Sequence, residues 1–168
     1  MCGIVGGITN KDITPLLLEG LNRLEYRGYD SSGLIVLSKN NTFNRARSVG
    51  KVKNLEDNLK TRKHKIIGNI GIAHTRWATH GEPSNHNAHP HISKNSVSVV
   101  HNGIIENYIE LKNNQLKQGY EFTSETDTEV IAHAVDFAMQ SSKSLVSSVQ
   151  KALKSFEGSY GLGIISSK

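Results

Sequence analysis

Short apolar runs alternate along this chain with longer stretches in which apolar residues recur every three or four positions, the periods of strands and of amphipathic helices. Residues 3–8, small and apolar, read as a strand. Thr14 caps a helix with Pro15 at its first position, and Leu17, Leu18, Leu21 and Leu24 recur along it at helical spacing. After the turn Arg27-Gly28-Tyr29-Asp30, strands over 34–38 and 43–49 can pair through the polar Lys39-Asn40-Asn41 turn. A second helix spans 55–62, and further strands cover 70–75 and 97–101. Between those two strands lies a long polar segment, 77–95, rich in histidine and without periodicity, the kind of loop that is usually functional or disordered. Helices follow over 107–118, 127–140 and 145–156, the middle one opened by Thr126 with Glu129 as a capping box, and 160–166 is strand-like. Strands and helices in runs, without strict alternation, favour an α+β fold over a doubly wound parallel sheet.

Composition narrows the picture. At 168 residues, 36% of them hydrophobic, the chain suffices for one globular domain with a real core. No apolar run approaches the roughly 20 residues a membrane span needs, and no basic segment precedes a long apolar one as in a signal peptide, so the expectation is a cytoplasmic protein. The net charge of +5 owes much to Lys51, Lys53, Lys60, Arg62, Lys63 and Lys65, which read as the solvated face of one helix. No nucleic-acid-binding signature accompanies them. No glycine-rich phosphate loop is present either, and no cofactor is expected.

The informative residue is Cys2, the one cysteine of the chain, placed directly after Met1. A single cysteine forms no intrachain disulfide, in keeping with a reducing compartment where a thiolate survives. Removal of Met1 would put a thiol, with pKa near ~8.5, and a free α-amine, near ~8, on the same residue, so that nucleophile and base are one amino acid. The plain alternative is a small residue at the start of a strand. Three further clusters offer partners. In His74-Thr75-Arg76-Trp77-Ala78-Thr79-His80-Gly81, Arg76 could fork a carboxylate or simply pack its stem on Trp77. His101-Asn102-Gly103 offers an amide side chain and an unshielded N–H for an oxyanion, although Asn-Gly is also the strongest short hairpin-turn signal. Asp127 could hold an ammonium, or serve only the helix dipole.

Taken together, these segments carry a resemblance. Met-Cys-Gly-Ile-Val-Gly at the start, the run from Leu24 through Tyr26-Arg27-Gly28-Tyr29-Asp30 to Gly33, the His74 to Gly81 run, Asn87-Ala88-His89-Pro90-His91, His101 to Asn107, and Ser124-Glu125-Thr126-Asp127-Thr128-Glu129 resemble the glutaminase domains of class II glutamine amidotransferases, the N-terminal-nucleophile (Ntn) hydrolases. The wording is that of the hexosamine-forming branch. The resemblance implies a four-layer αββα sandwich with two antiparallel sheets. It also implies that Cys2 attacks the side-chain amide of L-glutamine, giving a γ-glutamyl thioester, ammonia and then glutamate. Asn102 and Gly103 match the family's oxyanion hole. Arg76, Thr79 and His80 match its grip on the α-carboxylate, and Asp127 its contact to the α-ammonium. Trp77 matches the loop tryptophan around the ammonia path, and Arg27 and Gly28 match positions beside the nucleophile.

In that branch the glutaminase domain runs on beyond the position of Lys168, and sugar-phosphate isomerase domains then make glucosamine 6-phosphate from fructose 6-phosphate. The expectation is therefore a truncated domain without its isomerase partners, with part of a sheet edge open to association, including with a second copy. Two rival readings remain at this stage. One is a glutamine-binding module that does no chemistry. The other is a metal site on His86, His89 and His91 with His80 nearby, although no metal is expected where His89 and His91 belong to the family-like segment. His64 is expected to be solvated and His133 to be a packed or paired histidine.

Overall fold

The computed structural model describes residues 2–78 and 81–168. Seven strands and five α-helices appear among them. Strands β1 (Gly3–Ile8), β2 (Ser31–Leu37), β3 (Phe43–Val49) and β4 (Ile70–Arg76) form one antiparallel sheet in the order β1-β4-β2-β3. Strands β5 (His91–Ser93), β6 (Val97–Ile105) and β7 (Gly158–Ser166) form a second, in the order β5-β6-β7. Helices α1 (Thr14–Leu24) and α2 (Val52–Thr61) cover the outer face of the first sheet, and α4 (Thr128–Met139) and α5 (Leu145–Leu153) the outer face of the second. Helix α3 (Tyr108–Lys117) follows β6 and packs beside α4.

Strand alternation builds these layers. Along β2, Leu34 and Val36 point to α1 and α2, where they meet Leu17, Leu21 and Leu55, while Ile35 points the other way. Ile35 joins Ile72 of β4, Val100 of β6 and Ile165 of β7 in an apolar layer between the sheets. Val97, Val99 and Ile105 of β6 face outward onto Val130, Ile131 and Val135 of α4. The result is the expected α+β fold with helix, sheet, sheet and helix in four layers. No helix among the described residues is long and apolar enough to cross a membrane.

Several local expectations change. Thr14 is the first residue of α1 rather than its cap, which is Ile13; Asp12 before it ties the approach to the helix, its Oδ1 accepting from the Thr14 N–H (3.1 Å) and hydroxyl (2.9 Å) and from the Gly68 N–H (3.2 Å). Strand β6 does not turn at Asn102-Gly103 but runs through to Ile105, because β7 offers partners along its whole length, with Asn102 opposite Gly161 and Gly103 opposite Tyr160. The polar segment 77–95 contains the short strand β5. Its approach to β2 is close: a Cβ on Gly33 would lie 2.2 Å from the His89 carbonyl oxygen, so only glycine fits there. The Thr126–Glu129 capping box does not form. Glu129 is buried and instead gathers the preceding turn, accepting from the Thr123 and Ser124 N–H groups (3.1 and 2.8 Å) and from both hydroxyls (2.9 and 2.7 Å).

Candidate active site

The layer between the sheets changes character along its length. On β4, Ile72, His74 and Arg76 share one face; Ile72 lies in the apolar layer, His74 reaches Asn102, and Arg76 comes at the open end of the strand. On β6, Val100 and Asn102 make the same progression from apolar to polar. Cys2 stands directly before β1, whose Gly3 is paired with Thr75, so the thiol arrives where the two sheets part. A cavity of about 530 Å³ opens there, lined by Cys2, Arg27, Arg76, Trp77, Asn102, Gly103 and Asp127, with Tyr160 and Gly161 of β7 on its far wall. That volume lies within the usual range for small-molecule pockets.

Cys2 is half-buried, and its Sγ accepts from the Trp77 N–H at 3.2 Å. The Asn102 side-chain Nδ2 donates to the Cys2 carbonyl at 3.2 Å, which ties the amide to the nucleophile's own backbone. One edge of β6 supplies the rest. The alternation of an antiparallel ladder turns the N–H groups of His101, Gly103 and Ile105 away from β7. The His101 N–H meets His89 Nδ1 (3.4 Å) and the Ile105 N–H meets Asp127 Oδ2 (2.8 Å). The Gly103 N–H between them belongs to the stretch of strand that lines the cavity. Gly103 has φ +131°, and a Cβ would sit 2.1 Å from the Ser159 carbonyl oxygen, so the position admits glycine alone.

Arg76 and Asp127 are both buried. The Arg76 guanidinium donates to the carbonyls of Gly81 (3.0 Å) and Glu82 (3.4 Å), which anchors the segment beyond β4. Burial lowers its pKa, and the carboxylates of Asp30 and Asp127 oppose that shift, so Arg76 sits in the field of nearby acidic groups. Asp127 Oδ1 lies 3.8 Å from His101 Nδ1. A cation and an anion that line one cavity together with a thiol and amide donors suit a zwitterionic amino acid with a reactive side chain. Trp77 is 54% exposed and meets Tyr29 edge-on at 6.3 Å. Asp30 holds the next residue, its Oδ2 accepting from the Ala78 N–H.

Of the residues expected from sequence, Cys2, Arg27, Arg76, Trp77, Asn102, Gly103 and Asp127 therefore meet at one cavity. Gly28 does not line it; with φ 174° it closes the 3-10 turn Glu25–Arg27. Thr79 and His80, like Met1, lie outside the described residues. Sequence reasoning missed the β7 wall and the floor of His89, His101 and Thr128, which only the pairing of β6 with β7 and the packing of α4 bring close.

His86, His89 and His91 do not come together as a ligand set. His86 is exposed, whereas His89 and His91 are buried and bonded to Thr128 Oγ1 (3.0 Å) and Thr126 Oγ1 (3.1 Å). Among the described residues no three His, Cys, Asp or Glu side chains are grouped to hold a metal ion. His64 is exposed, and His133 is buried between Ser93 Oγ (2.9 Å) and the Glu121 carbonyl (3.1 Å). The basic residues of α2 and its surroundings are exposed, with Lys53 and Lys60 both paired to Asp57.

Residues 74–168 match the family described as "Glutamine amidotransferase domain". Curated relatives named glutamine–fructose-6-phosphate aminotransferase (isomerizing) are 51% identical in Legionella pneumophila strain Paris and 52% identical in Pseudomonas putida, each over the whole of this chain. The chain spans 28% and 27% of those relatives. Among solved structures, the glutamine phosphoribosylpyrophosphate amidotransferase of B. subtilis superposes with a TM-score of 0.76 at 25% identity, over 99% of this chain and 35% of that one. A structure described as the allosteric regulatory enzyme of purine biosynthesis does so with a TM-score of 0.81 at 26% identity, over 98% of this chain and 36% of that one. The two antiparallel sheets between helical layers that this chain shares with these structures are the Ntn-hydrolase fold. The chain belongs to the glutamine amidotransferase family.

Proposed function

We propose that this domain hydrolyses L-glutamine to L-glutamate and ammonia through a γ-glutamyl thioester on Cys2. The observation that carries the reading is the convergence of Cys2, Asn102 and Gly103 with Arg76 and Asp127 at the parting of the two sheets. Arg76, with Thr79 and His80, binds the α-carboxylate of glutamine and Asp127 binds its α-ammonium, which selects the free amino acid over a glutamine within a protein. Sγ then attacks the side-chain carbonyl carbon. The α-amine of Cys2, freed by removal of Met1, takes the thiol proton and passes it to the departing nitrogen. Charge that develops on the carbonyl oxygen is met by Asn102 Nδ2 and the Gly103 N–H, fixed in place before the reaction begins. Ammonia leaves, water attacks the thioester carbon, and glutamate and the free thiol are released.

In a longer protein of the relatives' kind, this ammonia would aminate fructose 6-phosphate in sugar-phosphate isomerase domains beyond residue 168, with Trp77 beside its path and Arg27 beside the nucleophile. The single thiol nucleophile suits the cytoplasm. Glutamate release from glutamine tests the reading. The processed chain turns over and Cys2→Ala does not; equal release by both would refute it.

A further inference from the structure

The nucleophile, the oxyanion donors and the two charged clamps leave His74 without a part to play, although it is fully buried behind them. Its Nε2 lies 2.8 Å from Asn102 Oδ1. A side-chain amide carries an acceptor on one side and donors on the other, and only one orientation serves an oxyanion. With Nδ2 donating to the Cys2 carbonyl, Oδ1 faces His74, so the neutral imidazole must carry its proton on Nε2. The flipped amide would set Oδ1 against the Cys2 carbonyl oxygen, acceptor to acceptor.

The ring itself is held. His89 packs on it with centroids 4.3 Å apart and planes tilted by 36°. His89 is fixed in turn by the His101 N–H at Nδ1, which leaves its Nε2 to donate to Thr128 Oγ1. Burial depresses the His74 pKa to about 4, so the ring stays neutral through the physiological range.

We propose that His74 is a positioning residue for the glutaminase reaction: its Nε2–H holds Oδ1 of Asn102 and thereby keeps Nδ2 turned toward Cys2 and the cavity. The inference rests on the reading of Asn102 as an oxyanion donor. Loss of one such donor costs ~10²–10³ in kcat, and loss of its orientation costs part of that. His74→Leu is expected to lower kcat for glutamine hydrolysis by about 10- to 100-fold with KM within about threefold. His74→Gln, which keeps a donor, is expected to retain kcat within about fivefold.

The deciding measurement is a double-mutant cycle on the full processed chain, with glutamate release as the readout. In an Asn102→Ala background, His74→Leu should change kcat by less than about twofold. Equal losses in both backgrounds, or a loss confined to KM, would overturn the proposal and leave His74 a packing residue. Should His74→Leu not fold, His74→Phe, which keeps the ring's bulk and removes the donor, carries the test: its kcat deficit must vanish in the Asn102→Ala background, and a deficit that persists there overturns the proposal. If Asn102→Ala alone leaves kcat unchanged, the oxyanion assignment itself is what has failed, and that outcome is distinct from additivity.

Discussion

Gly103 does at one position what no other residue type could. Its φ of +131° and its contact with the Ser159 carbonyl exclude a Cβ, while its neighbour Asn102 supplies a side chain directed at Cys2. Gly103→Ala is therefore expected to distort β6 against β7 and to cost about 1–3 kcal/mol of stability, read as a lowered urea midpoint. Asn102→Ala should instead fold and lower kcat by ~10²–10³ with little change in KM. Arg76→Ala should act chiefly on KM, because it removes binding charge. The reverse pattern in steady-state glutaminase kinetics would undo these roles. Cys2, Asn102 and Asp127 stood out in the sequence because their chemistry is tied to a position: the chain start, an Asn-Gly step, a helix start. His74 and Thr128 did not, because a buried histidine and a buried threonine look like core until their partners are known.

At the scale of elements, β6 organises the site through one edge. Its N–H groups at 101, 103 and 105 in turn fix a buried histidine, line the cavity and hold Asp127. The local Asn-Gly signal pointed to a turn, and β7 overrode it by pairing through the step. Strand β5 escaped notice because three residues are too few to show a period. The Thr126–Glu129 spacing did signal a helix start, but the carboxylate is spent on the turn at Thr123 and Ser124. That turn leads into Asp127, so Glu129→Ala should lower stability by about 2–4 kcal/mol and weaken glutamine binding together, measured by urea unfolding and by KM. A change in KM with unaltered stability would contradict this use of the carboxylate.

For the whole molecule, the periodicity of apolar positions was enough to foresee most of the strands and helices, and the resemblance supplied their arrangement in four layers. What the pattern could not show is the gradient between the sheets, apolar at Ile35 and Val100 and polar at His74 and Asn102, since residues distant in sequence create it. Burying imidazoles there has a consequence for pH. His74, His89 and His91 are all depressed by burial, His74 to about 4. The unfolded chain takes up protons near pH 6.5 and the folded chain does not, so stability is full above that pH and falls as pH drops toward 4. Each such histidine contributes up to about 1.4 kcal/mol per pH unit in that window. Urea unfolding at pH 7 and pH 5 should show the loss, and a flat profile would mean that these rings are charged or solvated.

The most direct test of the central claim is the intact mass of the protein before and after treatment with an electrophilic glutamine analogue. Loss of Met1 and a single adduct on Cys2, blocked by excess glutamine, is the predicted result. Retention of Met1, or a processed chain that takes no adduct, would contradict a competent N-terminal nucleophile at this site.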